Sequence, residues 1–211
     1  MANRKRNYSN VSTVDPDLVK PNISNFSHNL INKDKNYFSI DEYNGIKFSE
    51  NSLSILSLNI NSLKKHVDEF VALLKSLNNK PDIIILSEIR NNIEEIVNYN
   101  FTNYVSHTTY PENNKCGGIL ILVKNTIKHD VVHNKSINTN SIENLVIKVH
   151  LKDNPIYVSG IYKHPNVNLN EFKSIMKKHI RSIPQNYTLI IAGDINIDLL
   201  KANTDTNITV C

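Results

Sequence analysis

Few of the 211 residues are of the kinds that force a chain into a special class. Two cysteines are too few for a disulfide scaffold, and neither stands at a metal-ligand spacing. Five glycines and seven prolines exclude collagen-like and Pro/Gly low-complexity chains. No apolar run approaches the roughly 18 residues that span a bilayer, so no membrane partner is expected. The opening MANRKRNYSN has basic residues with no apolar stretch behind them, which is not a secretory signal. The expectation is an intracellular protein, nuclear or cytoplasmic and not secreted. A strong charge of one sign is also missing: 24 Lys and Arg against 20 Asp and Glu leave +4, which permits a polyanionic partner without requiring one.

What is present is a globular average, 40% hydrophobic and 21% charged, in a chain long enough to bury a sizeable core. Asparagine is abundant, with 34 residues. AT-rich codons account for that excess, and it carries no functional weight. Residues 1–50 differ from the rest: they hold 7 basic and 6 acidic residues and few clustered apolar ones. Such a segment buries too little surface to offset its chain entropy, so 1–50 reads as a polar, largely disordered tail. Arg4-Lys5-Arg6 is too short a basic run to be more than part of that tail.

From Leu53 onward apolar runs alternate with turn signals. Leu53–Asn59 reads as a strand. Leu63, Val67, Phe70, Leu74 and Leu77 make one face of an amphipathic helix, with Asn61 or Ser62 as N-cap, and Pro81-Asp82 closes it. Ile83–Ser87 is a short continuous apolar run, the mark of a strand buried on both faces. A short helix is expected at Asn91–Val97, with strands at 101–108, 118–124, 128–133, 142–151 and 155–162. Leu169, Phe172, Ile175, Met176, His179 and Ile180 give a second helix, and Leu189–Ala192 a further buried strand. The order predicts an α/β fold with mixed sheets and outer helices.

Three of these strands end in residues that burial would not select: Asn59, then Glu88, then Asp194 with Asn196. Strand side chains alternate between faces, so Asp194 and Asn196 would point the same way in an extended segment. Each alone has an ordinary reading as a turn, cap or solvated residue. If the strands lie side by side, however, one sheet edge gathers two carboxylates and two amides. Grouped carboxylates repel unless a cation lies between them, and hard oxygen ligands suit Mg²⁺. A Tyr-bearing strand end, Gly160-Ile161-Tyr162, stands between the second and third of these.

The stretches SILSLNINSLKKHVDEF, PDIIILSEIR, CGGILILVKN, VSGIYKHPN and LIIAGDINIDLL, in that order, resemble the endonuclease/exonuclease/phosphatase superfamily. Within it the likeness is to the apurinic/apyrimidinic-type endonuclease domain of non-LTR (LINE-type, jockey and chicken-repeat-like) retrotransposons, over about residues 37–200. The resemblance implies a deoxyribonuclease I-like four-layer α/β sandwich over 51–200. It implies a Mg²⁺- or Mn²⁺-dependent hydrolase that nicks DNA, acting as a monomer with no obligate protein partner. Glu88 would be the main metal ligand, with Asn59 beside the metal and phosphate and Asp194 completing the metal group. Tyr162 would contact phosphate, Asp194 would orient or deprotonate the attacking water, and Asn196 would bond that water or the phosphate. Gly117 and Gly118 match a structural turn, and His179 a packing position.

The family pattern continues to a closing Ser-Asp-His, which the sequence lacks before Cys211. Residues 201–211 are therefore expected as a truncated end, the last strands as missing, and activity as weak or absent. Competing expectations are a phosphatase or phosphodiesterase of the same superfamily, a catalytically dead remnant with at most weak nucleic-acid binding, and an unrelated α/β binding module in which Asn59, Glu88, Asp194 and Asn196 lie far apart.

Overall fold

The computed structural model describes residues 11–14, 39–49, 52–90, 99–109, 116–152 and 154–197, the first of these by its backbone alone. Two five-stranded sheets stack face to face. The first comprises β1 (Val11–Val14), β2 (Leu53–Asn59), β3 (Ile83–Ser87), β4 (Tyr104–Thr108) and β5 (Ile119–Lys124), in the order β1-β2-β3-β5-β4. The second comprises β6 (His129–Val131), β7 (Ile137–Asn138), β8 (Ile142–Val149), β9 (Ile156–Lys163) and β10 (Thr188–Asp194), in the order β10-β9-β8-β6 with β7 on β8. Each sheet has one parallel pair joined by a helix: β2 and β3 through α2 (Leu63–Ser76), and β9 and β10 through α3 (Leu169–Ser182). A short α1 (Ile40–Asn44) precedes β2.

The alternation of side chains sorts the core into layers. Leu53, Ile55, Ile83, Ile85, Ile119, Ile121 and Val123 face inward and meet Leu145, Ile147, Val149, Val158 and Tyr162 of the second sheet. The opposite face of the first sheet, with Ile84, Leu86, Leu120 and Leu122, packs on Leu63 and Phe70 of α2. Behind the second sheet, Val146 and Tyr157 pack with Ile183, just past the end of α3. On that same side His179 is buried against Asn144 and Ser159, its Nε2 3.2 Å from each. The result is a helix–sheet–sheet–helix sandwich, the fold expected from the sequence, and His179 is a packed residue as read.

Some expectations change. Part of the 1–50 segment is structured: β1 pairs antiparallel with β2, and α1 is anchored by Tyr43, whose hydroxyl donates to the Asn79 carbonyl at 3.1 Å. Ser39 and Glu42 close a capping box on α1, a local stabilisation that average composition conceals. Ser62 occupies the N-cap of α2 but makes no side-chain cap bond. β10 is not buried on both faces: it forms the edge of its sheet among the described residues, and Ile191 is exposed. Ile180, placed on the apolar face of the second helix, is half exposed. The helix expected at Asn91–Val97 lies outside the described residues.

Candidate active site

In a parallel pair both strands deliver their C-terminal ends to one edge. β2 and β3 therefore bring Asn59 and Glu88 together, since Asn59 lies opposite Ser87 and Glu88 follows it. β9 and β10 do the same for Tyr162 and Asp194, which are direct partners in the register. The stacking of the sheets then joins the two edges. Asn59 Nδ2 donates to Glu88 Oε1 at 3.0 Å and to Asp194 Oδ2 at 2.7 Å. Asn59, Glu88 and Asp194, far apart in the chain, thus meet, with Asn196 N on Asp194 Oδ1 at 2.9 Å, so these four residues do not lie far apart.

The backbone at this edge is unusual. Six non-glycine residues among those described have positive φ, and five of them, Asn61, Ser62, Glu88, Arg90 and Asn196, sit at these strand ends. For Glu88, at φ 54°, the left-handed conformation costs on the order of 1–2 kcal/mol; such outliers persist where the surroundings over-determine them, and they gather at functional sites. The surroundings here are hydrogen bonds from Ser62 N to the Glu88 carbonyl (2.8 Å), from Leu63 N to the Ile89 carbonyl (2.9 Å) and from Arg90 N to the Gly117 carbonyl (2.9 Å).

Each carboxylate is held at both ends. Glu88 Oε2 accepts from Arg90 Nη2 at 2.6 Å. Asp194 Oδ1 accepts from Asn196 N at 2.9 Å. Asn59 presents its amide nitrogen to the carboxylates, while its Oδ1 accepts from Asn61 N at 3.0 Å. Asn196 does not continue the strand in step with Asp194. Its φ is 45°, and its Nδ2 donates to the Lys163 carbonyl at 2.7 Å, pinning the turn after β10 to the end of β9. Gly193 makes that approach possible: its φ is +139°, and a Cβ there would stand 2.0 Å from the Ile161 carbonyl oxygen.

Tyr162 forms the floor of the cluster, buried in the inter-sheet core. Burial first, then the negative charge of Glu88 and Asp194, pushes its phenol up from the ordinary value, so it keeps its proton. Beside it lies a set of residues that the strand-end reading passed over. Glu143, opposite Tyr162 in the register, is 1% exposed. Its Oε2 accepts from Gly118 N (2.8 Å) and Thr109 Oγ1 (3.1 Å), and its Oε1 is 3.2 Å from His164 Nε2. Burial pushes the Glu143 carboxyl up, against the pull of Gly118, Thr109 and His164. Arg90 lies within the PDIIILSEIR stretch, but its pairing with Glu88 had no separate signal. Glu143 did have one: it occupies an inward position with Leu145, Ile147 and Val149, where a carboxylate is out of place.

Hard oxygens from Glu88 and Asp194, both within reach of one nitrogen, are a donor set that fits a divalent cation retaining water and substrate ligands. Among the described residues no group of three His, Cys, Asp or Glu side chains is placed to hold an ion. No described helix is long and apolar enough to cross a membrane.

Comparison with known proteins agrees with this fold. Residues 56–206 match the model of the Endonuclease/Exonuclease/phosphatase family. Over 149 residues the chain is 29% identical to the Drosophila melanogaster protein described as "Probable RNA-directed DNA polymerase from transposon BS", covering 69% of this chain and 15% of that one. Its structure resembles the endonuclease domain of TRAS1, a telomere-specific non-LTR retrotransposon, with a TM-score of 0.54 and 16% identity, covering 69% of this chain and 61% of that one. It also resembles D. rerio TDP2 complexed with a single-strand DNA product, with a TM-score of 0.50 and 15% identity, covering 72% and 63%. The chain thus spans about three fifths of these structures and a small part of the transposon polymerase.

Proposed function

We propose that this chain, which belongs to the endonuclease/exonuclease/phosphatase family, is a Mg²⁺- or Mn²⁺-dependent phosphodiester hydrolase acting on DNA, the endonuclease part of a non-LTR retrotransposon protein. The observation that carries the reading is the Asn59 amide bridging Glu88 and Asp194, carboxylates delivered by two different sheets. Glu88 and Asp194 would hold the cation, and when bound it supplies neutralisation of the charge that develops on phosphate oxygens. Arg90 fixes one oxygen of Glu88 and leaves the other turned to the site. Asn59 keeps the two carboxylates together, an orienting role in place of direct ligation. Asp194, with Oδ1 tied to Asn196 N, is aimed to take a proton from attacking water. Tyr162 stays neutral and can donate its phenolic proton to a phosphate oxygen. Asn196 locks the turn that sets the direction of Asp194. Preorganised groups of this kind are where the rate enhancement of such enzymes arises.

The test is nicking of supercoiled plasmid by the 211-residue chain. Weak turnover that needs Mg²⁺ and falls about 100-fold or more in Glu88→Gln is expected, and wild-type chain that nicks nothing in Mg²⁺ or Mn²⁺ refutes it. A second reading, a remnant that binds nucleic acid without cutting it, is favoured by the lack of a three-residue ligand group among the described residues. DNA binding that weakens steeply with salt and is not accompanied by nicking selects that reading.

A further inference from the structure

We propose that Glu143 is a positioning residue of this site: one buried carboxylate that ties Glu88 on the first sheet to Tyr162 on the second. The inference rests on the hydrolase reading for its consequence in catalysis, but not for its geometry. Glu143 belongs to β8, in the second sheet, yet both partners of its Oε2 belong to the first. Gly118 N–H opens β5, and the Thr109 hydroxyl stands just past β4. Thr109 is held in turn, since its Oγ1 accepts from Ile119 N at 3.0 Å.

The carboxylate also packs against Gly117. A Cβ at Gly117 would stand 1.8 Å from Glu143 Oε1 and 3.2 Å from His164 Cε1, so a side chain there would displace the carboxylate. From this turn the connection to the site is one step of backbone. The Gly117 carbonyl accepts from Arg90 N at 2.9 Å and the Gly118 carbonyl from Ile89 N at 3.3 Å. Those two amides flank Glu88 on its C-terminal side and hold the left-handed backbone that turns its carboxylate to Asn59.

The other arm runs through His164. Its Nε2 is 3.2 Å from Glu143 Oε1, and its ring stands edge-on to Tyr162, with centroids 4.9 Å apart and planes at 77°. One carboxylate therefore holds the strained segment that aims Glu88 through Oε2 and packs, through an Oε1 that makes no hydrogen bond among the described residues, against the ring that walls Tyr162. A carboxylate buried to this depth carries a desolvation cost that the two donors on Oε2 offset in part.

Two measurements test this on the full chain, one independent of activity. In Glu143→Gln, amide hydrogen exchange at Gly118, Ile89 and Arg90 should quicken about tenfold, the order of one charge-assisted hydrogen bond, while Leu122 in the middle of β5 keeps its rate. Nicking should lose kcat with KM for DNA unchanged. His164→Gln should lower kcat and leave exchange at Arg90 as in the wild type, because it cuts only the second arm. If Glu143→Gln does not fold, Thr109→Val, which removes one bond to the same oxygen, is read in its place by the same two measurements. Unchanged exchange at those three amides overturns the proposal, and so does a global rise in exchange that includes Leu122. Localised exchange in a chain that cuts no DNA supports the brace while refuting the hydrolase.

Discussion

Asn59→Asp asks whether the cluster is built around a cation. The wild-type amide donates to Glu88 Oε1 and Asp194 Oδ2. Aspartate removes both donations and sets a third carboxylate in the same place with almost no change of shape. Hydrogen bonds to charged groups contribute about 1.5–3 kcal/mol each when shielded. Asn59 is exposed, so about 1 kcal/mol each is the fitting figure. Two new repulsions at about 4 Å add about 1 kcal/mol apiece in water-like surroundings. Proton uptake by the crowded carboxyls caps the total, leaving a loss of about 2–4 kcal/mol without metal. At about 2–4 °C per kcal/mol for a chain of this size, the variant should melt roughly 5–15 °C below the wild type in EDTA.

Millimolar Mg²⁺ should close most of that gap, because three carboxylates bind a hard cation more tightly than two. Asn59→Ala separates the effects: it loses the bonds without adding charge, so its deficit should be smaller and should not shrink on adding Mg²⁺. Thermal unfolding followed by circular dichroism reads all three proteins. A variant that melts with the wild type in EDTA would show that the carboxylates are not neighbours. A deficit equal with and without Mg²⁺ would show that they are neighbours but hold no ion.

Two other outcomes follow from the fold. His107 and His129 join the edge strands β4 and β6 across the two sheets, Nε2 to Nε2 at 2.7 Å, and burial first, then the charges of His129 and His133, holds His107 below its ordinary value. The unfolded chain takes up this proton near pH ~6.5 and the folded chain only at lower pH. The contribution is therefore intact above that pH and lost as pH falls through the folded value. Melting midpoints should decline on acidification and decline less in His107→Asn, with part of the slope remaining because burial and Lys135 lower His179 as well; a midpoint indifferent to pH refutes this. Gly193→Ala should cost about 3 kcal/mol or more, since its φ is +139° and the added carbon meets the Ile161 carbonyl; an unchanged urea midpoint would contradict the parallel pairing of β9 with β10.

The parts of this site that were legible in the sequence share one cause, and so do the parts that were not. A strand–helix–strand unit with a right-handed crossover leaves its two strands parallel, so polar residues closing the apolar runs at Asn59 and Glu88 had to share an edge. The same holds for Tyr162 and Asp194. That is local information, carried by β-periodicity and by the helical spacing of Leu63, Phe70 and Leu74. The capping box at Ser39 and Glu42 was equally local, but five residues in a polar segment give periodicity nothing to register. The meeting of the two edges is different in kind. It depends on how closely the sheets stack, and at Gly160 a Cβ would come within 3.0 Å of Ile119 Cγ2 and 3.1 Å of Ile85 Cγ2. Those contacts link β9 to β5 and β3, strands that no pattern within one segment brings together. Thr109 belongs to the same class: it lies just beyond a strand end of the first sheet and acquires its role only from a carboxylate on the second. The residues that could bind a cation were therefore visible from their own segments, whereas those that aim them become visible only once two sheets are in contact. Asn59→Asp should act through charge and respond to Mg²⁺, and substitutions at Glu143 should act through backbone and respond to none.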